Sequence, residues 1–253
     1  MYPILFEIGP LTITSFGTMV ALGFLSALFF LNKELKRHGL SEELGSSLVT
    51  TAMIGGLVGA KLYFVLFELP PHATWGDTFS ALFSGSGLTW YGGFVVAAAG
   101  AVWVIRRNKA PLPQVADGLG LGLAIGYAVG RIGCQLAGDG DYGFPSDLPW
   151  AMAYPEGVVP TFEKVHPAPV YETLVHLGIF GVLWSTRLRL GVMPGLSFSL
   201  YLVLAGIARF LVEFIRLNPR VLWGLSPAQL ISIVMIGVGL FIGVRLLKKG
   251  KLA

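Results

Sequence analysis

The stretch AQLISIVMIGVGLFIGVRLL, Ala228–Leu247, decides the fold class. Its only charge is Arg245, near one end. A helix that crosses a bilayer needs about 20 mostly apolar residues, because each adds about 1.5 Å against a hydrocarbon core of about 30 Å. Working outward, six further stretches qualify: Leu11–Leu31, Ser47–Phe67, Leu88–Ile105, Val115–Leu136, Val170–Trp184 and Pro194–Ile215. The fifth in chain order, Val170–Trp184, is the shortest. The pattern predicts an all-α polytopic membrane protein with seven spans, a single integral membrane domain over residues 1–253.

Composition agrees. The chain is 54% hydrophobic and 13% charged, against about 25% charged in soluble domains. A soluble protein this apolar would lack the polar surface to stay dissolved. Its 34 glycines run through the apolar stretches, as suits helices that approach closely in lipid. The net charge of +4 does not imply nucleic acid as a partner, since the basic residues gather at span ends. The first stretch lacks a basic leader, has Glu7 early and ends in Lys33, Lys36 and Arg37. It reads as a permanent span, not a cleaved signal.

Those cations orient the chain. Alternate connections (33–37, 106–109, 187–189 and 245–251) hold 12 of the 18 Lys and Arg. The positive-inside rule places them in the cytoplasm and the N-terminus outside. Lys164, Arg216 and Arg220 fall on the outer side, as do two long segments, 68–87 and 137–168. The second contains Asp139, Asp141, Asp147, Glu156 and Glu163 among Pro and Gly, and predicts a small extracytoplasmic cap.

Five charged residues fall within or at the mouths of spans: Lys61, Arg131, Glu172, Arg209 and Glu213. Each costs roughly 2.5–3.5 kcal/mol at mid-bilayer and requires a partner, a polar cavity or an interface. Arg209 and Glu213 share a helix face at a spacing of four. They form either a self-neutralising pair or a carboxylate holding a guanidinium for an anion. Arg131 has no evident helical partner at three or four residues; positions 127, 128, 134 and 135 are Tyr127, Ala128, Cys134 and Gln135. It sits in a glycine-crowded run, Gly130 to Gly143, and a guanidinium there suits bidentate phosphate binding as well as snorkelling. Lys61 reads as a snorkelling cation. His166, before Pro167 and Pro169, is a candidate base near neutral pH or a structural interfacial residue. Cys134 is the single cysteine, so it forms no internal disulfide, and no Cys/His cluster has metal-ligand spacing. It reads as a small apolar filler.

An ordered set of segments resembles the prolipoprotein diacylglyceryl transferases of bacterial inner membranes. The segments are Gly87-Leu88-Thr89-Trp90-Tyr91-Gly92-Gly93, Gly130-Arg131-Ile132-Gly133, His166 to Glu172, Arg209 to Arg216, and Leu225-Ser226-Pro227-Ala228-Gln229-Leu230. Gly59-Ala60-Lys61-Leu62 resembles another family segment that usually carries Arg. The resemblance implies seven spans and an outward site open sideways to lipid. There, diacylglyceryl passes from phosphatidylglycerol to the lipobox cysteine of a preprolipoprotein signal peptide, with release of glycerol phosphate. It implies no metal and no organic cofactor. By the resemblance, Arg131 and Arg209 serve the headgroup and the chemistry, and Tyr91 and His166 complete the catalytic set. Glu213, Asp139, Gly133, Lys61, Tyr171 and Glu172 are expected to bind substrate.

The chain also departs from the family pattern. Tyr91 stands where many members carry a His proposed as base, Cys134 where Asn is usual and Asp139 where Glu is usual. Phe16 replaces an aromatic hydroxyl, and the spacing after Asp139 differs by about one residue. These positions leave a second class of function to test: a lipid- or lipoprotein-binding relative without turnover. A small-solute transporter is the third class; it is disfavoured by the lack of an internal repeat.

Overall fold

The computed structural model describes residues 1–9, 11–70, 74–83 and 89–250. It is mainly helical: α1 (Ser15–Arg37), α2 (Glu42–Tyr63), α3 (Trp75–Phe83), α4 (Trp90–Arg107), α5 (Leu112–Ala137), α6 (Ala168–Leu190), α7 (Leu196–Val212) and α8 (Pro227–Gly250). A π-helical turn, Phe64–Glu68, extends α2, and a 3₁₀ turn, Glu213–Ile215, extends α7.

Among the described residues, five helices are long and apolar enough to cross a membrane. They are Ser15–Arg37, Glu42–Glu68, Leu112–Ala137, Leu196–Ile215 and Pro227–Lys249. The other two expected spans coincide with α4 and α6, which are not among the five. The shortest stretch by hydropathy becomes a helix of 23 residues, because α6 begins at Ala168 and continues past Trp184 through Arg187 and Arg189 to Leu190. Leu88, the expected start of the third span, and Lys251 in the basic tail lie outside the described residues.

Two short hairpins qualify the all-α expectation. Strand β1 (Ile4–Ile8) pairs antiparallel with β2 (Leu11–Thr14), so α1 begins at Ser15 and not at Leu11. Thr12, Ile13 and Thr14 are β-branched and suit a strand, and Gly9 supplies the positive φ of the bend. The expected cap contains β3 (Met152–Tyr154) paired with β4 (Thr161–Val165). Isolated bridges join Gly143 to Arg216 and Pro145 to Val165.

The chain forms two compact units, residues 1–34 with 116–253, and residues 35–115. The first has a core of Leu121, Ala124, Ile179, Leu183, Tyr201 and Ala205, contributed by α5, α6 and α7. Asp117 on α5 is buried and accepts hydrogen bonds from Gly195 N and Phe198 N, both at 2.8 Å. It thereby caps the N-terminus of α7, where backbone donors lack helical partners. Helix α8 starts with a reciprocal cap. Ser226 Oγ accepts from Gln229 N at 3.3 Å, and Gln229 Oε1 accepts from Ser226 N at 3.1 Å. The segment Ser226-Pro227-Ala228-Gln229 is thus a capping box with Pro at the first helical position.

The second unit rests on α2 against α4. A Cβ at Gly93 would lie 2.9 Å from Gly56 O, and one at Gly59 would lie 2.7 Å from Val96 Cβ. Only glycine permits this approach of two backbones.

Candidate functional site

Elements distant in sequence bring six charged side chains together in the first unit. Arg131 lies in the last two turns of α5, and Asp141 lies in the loop beyond it. Glu172 lies near the start of α6, Arg209 in the last turn of α7, and Glu213 and Arg216 in and after the 3₁₀ turn. Glu172 is the hub. Its Oε2 is 3.1 Å from Arg131 Nε and 3.2 Å from Arg216 Nη1, and its Oε1 is 3.3 Å from Arg209 Nη1. Tyr127, one turn before Arg131, donates its hydroxyl to the same Oε1 at 2.6 Å. Glu213 Oε2 lies 2.8 Å from Arg209 Nη2 and 3.9 Å from Arg216 Nε. Asp141 pairs through one oxygen with Arg131 and through the other with Arg216.

Three guanidinium groups face three carboxylates, with Glu172 and Glu213 only 2% and 0% exposed. Burying an unpaired charge costs several kcal/mol, so each ion holds the others in place. Outside the spans, burial raises Asp141, but Arg131 and Arg216 outweigh it and hold the carboxyl below its usual range. Burial disfavours the Arg216 cation, yet Asp141 and Glu172 reverse this and raise its pKa. Asp139 is raised, chiefly by burial and further by Asp141.

A cavity of about 430 Å³ lies between α6 and α7. Val175, Ile179, Leu204, Ile207 and Leu211 line it, and Glu172 belongs both to its wall and to the charge cluster. The arginine cluster therefore adjoins an apolar cavity.

The sequence model of the family described as prolipoprotein diacylglyceryl transferase matches residues 3–245. The chain belongs to this family. It is 31% identical over 245 residues to a protein of Clostridium tetani named phosphatidylglycerol–prolipoprotein diacylglyceryl transferase, covering 96% of each chain. A Leptospira interrogans protein of the same name is 32% identical, over 90% of this chain and 87% of its own. One from a Nostoc strain is 30% identical, over 94% and 87%.

The cluster gathers four residues expected in a diacylglyceryl transferase: Arg131, Glu172, Arg209 and Glu213. Asp139 lies beside it, accepting from Asp141 N at 3.2 Å. The other expected residues are placed differently. Gly133 faces α1, where a Cβ would lie 2.9 Å from Met19 Cβ and 3.3 Å from Phe16 Cα; its small size serves helix packing. His166 Nδ1 is 3.4 Å from the Tyr171 hydroxyl, which also accepts from Trp150 Nε1 at 2.6 Å. The backbone of His166 joins Gly143 and Phe144 in the cap. Lys61 and Tyr91 belong to the second unit. Lys61 is buried, with Nζ donating to Ala81 O at 2.9 Å. Tyr91 is 41% exposed, its ring 6.4 Å from that of Tyr63.

Three participants were missed in the sequence. Arg216 passed as an outer-side charge, although Arg209, Glu213 and Arg216 lie four and three apart, the spacing of one helical face. Asp141 was one of several similar acids in the cap. Tyr127 was set aside as uncharged. The structure also brings Cys134 Sγ, Asp139 and Asp141 within 4.8 Å of one another, a grouping the sequence spacing did not suggest. Arg131 Nη1 is 3.6 Å from that sulfur and pairs with Asp141, so a guanidinium already supplies the local cation.

Proposed function

We propose that this protein transfers the diacylglyceryl group of phosphatidylglycerol to the lipobox cysteine thiol of a preprolipoprotein. We place it in the bacterial inner membrane, as one integral membrane domain with seven spans. Helices α4 and α6 complete the set, the N-terminus lies outside, and segment 137–168 forms an extracytoplasmic cap. The observation that carries this reading is the buried arginine cluster adjoining the apolar α6–α7 cavity. Membership of the family supplies the reaction.

In the reaction, the acceptor sulfur bonds to the glyceryl carbon that bears the phosphate ester. The carbon–oxygen bond breaks, its electron pair leaves on glycerol phosphate, and the thiol proton passes to a base. Charge grows on the departing phosphate, so fixed guanidinium groups lower the barrier. Arg131 and Arg209 serve as those groups. Glu172 and Glu213 position them, and the acyl chains lie along the apolar cavity. Tyr91 stands where many family members carry a proposed His base, although a neutral phenol is a poor proton acceptor. His166, tied to Tyr171, and Asp139, whose raised carboxyl is more basic than usual, are the other candidates for that base.

The test is a transfer assay with the purified full chain, phosphatidylglycerol and a lipobox peptide. The expected result is a diacylglyceryl mass added to the peptide cysteine. Phosphatidylglycerol binding without that product, where another family member turns over, would sink the enzymatic reading.

A further inference from the structure

We propose that Asp141 is a placeholder for the lipid phosphate: its carboxylate holds the anion position between Arg131 and Arg216, and the phosphate of the headgroup exchanges with it. This deepens the transferase reading and rests on it. It also makes Arg216 a third headgroup-binding cation.

Geometry comes first. The Asp141 carboxylate engages Arg131 through Oδ2 and Arg216 through Oδ1. Two guanidinium groups around one carboxylate present the donors that a phosphate monoester or diester accepts. Charge balance comes second. Arg131, Arg209 and Arg216 are matched by Asp141, Glu172 and Glu213. Arg131 and Arg216 already share Asp141 and Glu172, so a phosphate entering between them while Asp141 stays would set two anions side by side where unpaired charge is costly. One carboxylate must therefore withdraw.

Position identifies which. Glu172 and Glu213 are buried on helical turns and hold second partners, Tyr127 at 2.6 Å and Asn218 at 2.7 Å. Asp141 has a side chain 32% exposed and lies on a loop outside any helix. Its neighbours Gly138 and Gly140 have φ of +60° and +91°, conformations that glycine reaches without strain. Backbone bonds tie the loop at Gly138 O, to Val159 N, and at Gly143 N, to His166 O, each at 2.9 Å, and residues 139–142 between these ties turn more readily than a helix. The lowered carboxyl pKa of Asp141 reflects the same two cations. Once Asp141 withdraws, Arg131 and Arg216 keep Glu172, so they stay oriented while the new anion enters.

Calorimetric binding of glycerol 1-phosphate to the full chain in phosphatidylcholine nanodiscs tests the exchange. Asp141→Asn removes the competing anion, and should tighten binding about tenfold, the effect of one close charge pair. Asp141→Glu should restore the wild-type value, and Arg216→Lys should weaken binding. Unchanged or weaker binding by Asp141→Asn, or no binding by either protein, would overturn the proposal. Hydrogen exchange on the wild type gives a reading independent of any variant: amides 138–143 should exchange faster when glycerol 1-phosphate is added. Added protection there would also overturn it. Failure of the transferase reading would be seen separately, as absent peptide lipidation by the wild type.

Discussion

The two compact units handle burial in opposite ways. In residues 35–115, α2 and α4 meet through glycines, and the buried Lys61 donates to a backbone carbonyl. In the unit that includes residues 116–253, six charged side chains are drawn inward and paired with one another. Close packing by small residues yields a tight contact, which sets the position of α4 and the Tyr91 it carries. A cluster of paired ions yields less net stability for its desolvation cost, and it provides a field that a reaction can use. Where a membrane protein retains expensive charges, its chemistry is to be sought there.

Substitutions can break or sharpen that contrast. The largest effect is expected from Arg131→Ala, which should lower peptide transfer by about 10³-fold or more. Arg131→Lys, which keeps the charge but loses the fork, should recover ion pairing better than activity; melting and transfer measured together separate the two. Next is Tyr91→Phe, at about 10²-fold, with Tyr91→His restoring transfer. Full activity in Tyr91→Phe would confine the chemistry to the first unit. Glu172→Gln unties three arginines, and should cost about 3 kcal/mol of stability and raise the KM for phosphatidylglycerol. In the second unit, Gly92→Leu should lower thermal stability in detergent by about 1–3 kcal/mol, since a Cβ there would already lie 2.3 Å from Gly59 O. Gly178→Ala, with no atom within 4 Å of the added Cβ, should melt like the wild type.

The smallest effect concerns pH. The Asp141 carboxyl is lowered in the folded chain. Its contribution is therefore present above the unfolded value, about 3.9, and lost as pH falls through the lowered folded value. Acid melting curves of wild type and Asp141→Asn should converge in that window. Curves that stay parallel would remove Asp141 from the linkage.

Much of this was legible in the sequence. Hydropathy located the long helices but not α3, which lies inside segment 68–87, and the cost of buried charge singled out Arg131, Glu172, Arg209 and Glu213 together with Lys61, which stands in the other unit. The N-terminal hairpin was not legible, because hydropathy does not distinguish the apolar strand Leu11–Thr14 from the helix it feeds. Glu172 could not be recognised as a hub, since its partners lie 37 to 45 residues away in the chain. Asp141 resembled every other acid in the cap until the fold set it between two arginines. Arg216 was within reach of a periodicity argument, but assigning it to the outer side concealed it.

The Asp117 cap has a consequence for biogenesis. Its acceptors' partners, Gly195 and Phe198, follow it by 78 and 81 residues. During synthesis α5 therefore emerges before the two α7 donors that Asp117 accepts from have been made. Helix α5 enters the bilayer as an incomplete element and reaches its final setting only after α7 follows, so a chain arrested before Gly195 should remain exposed to quality-control proteolysis.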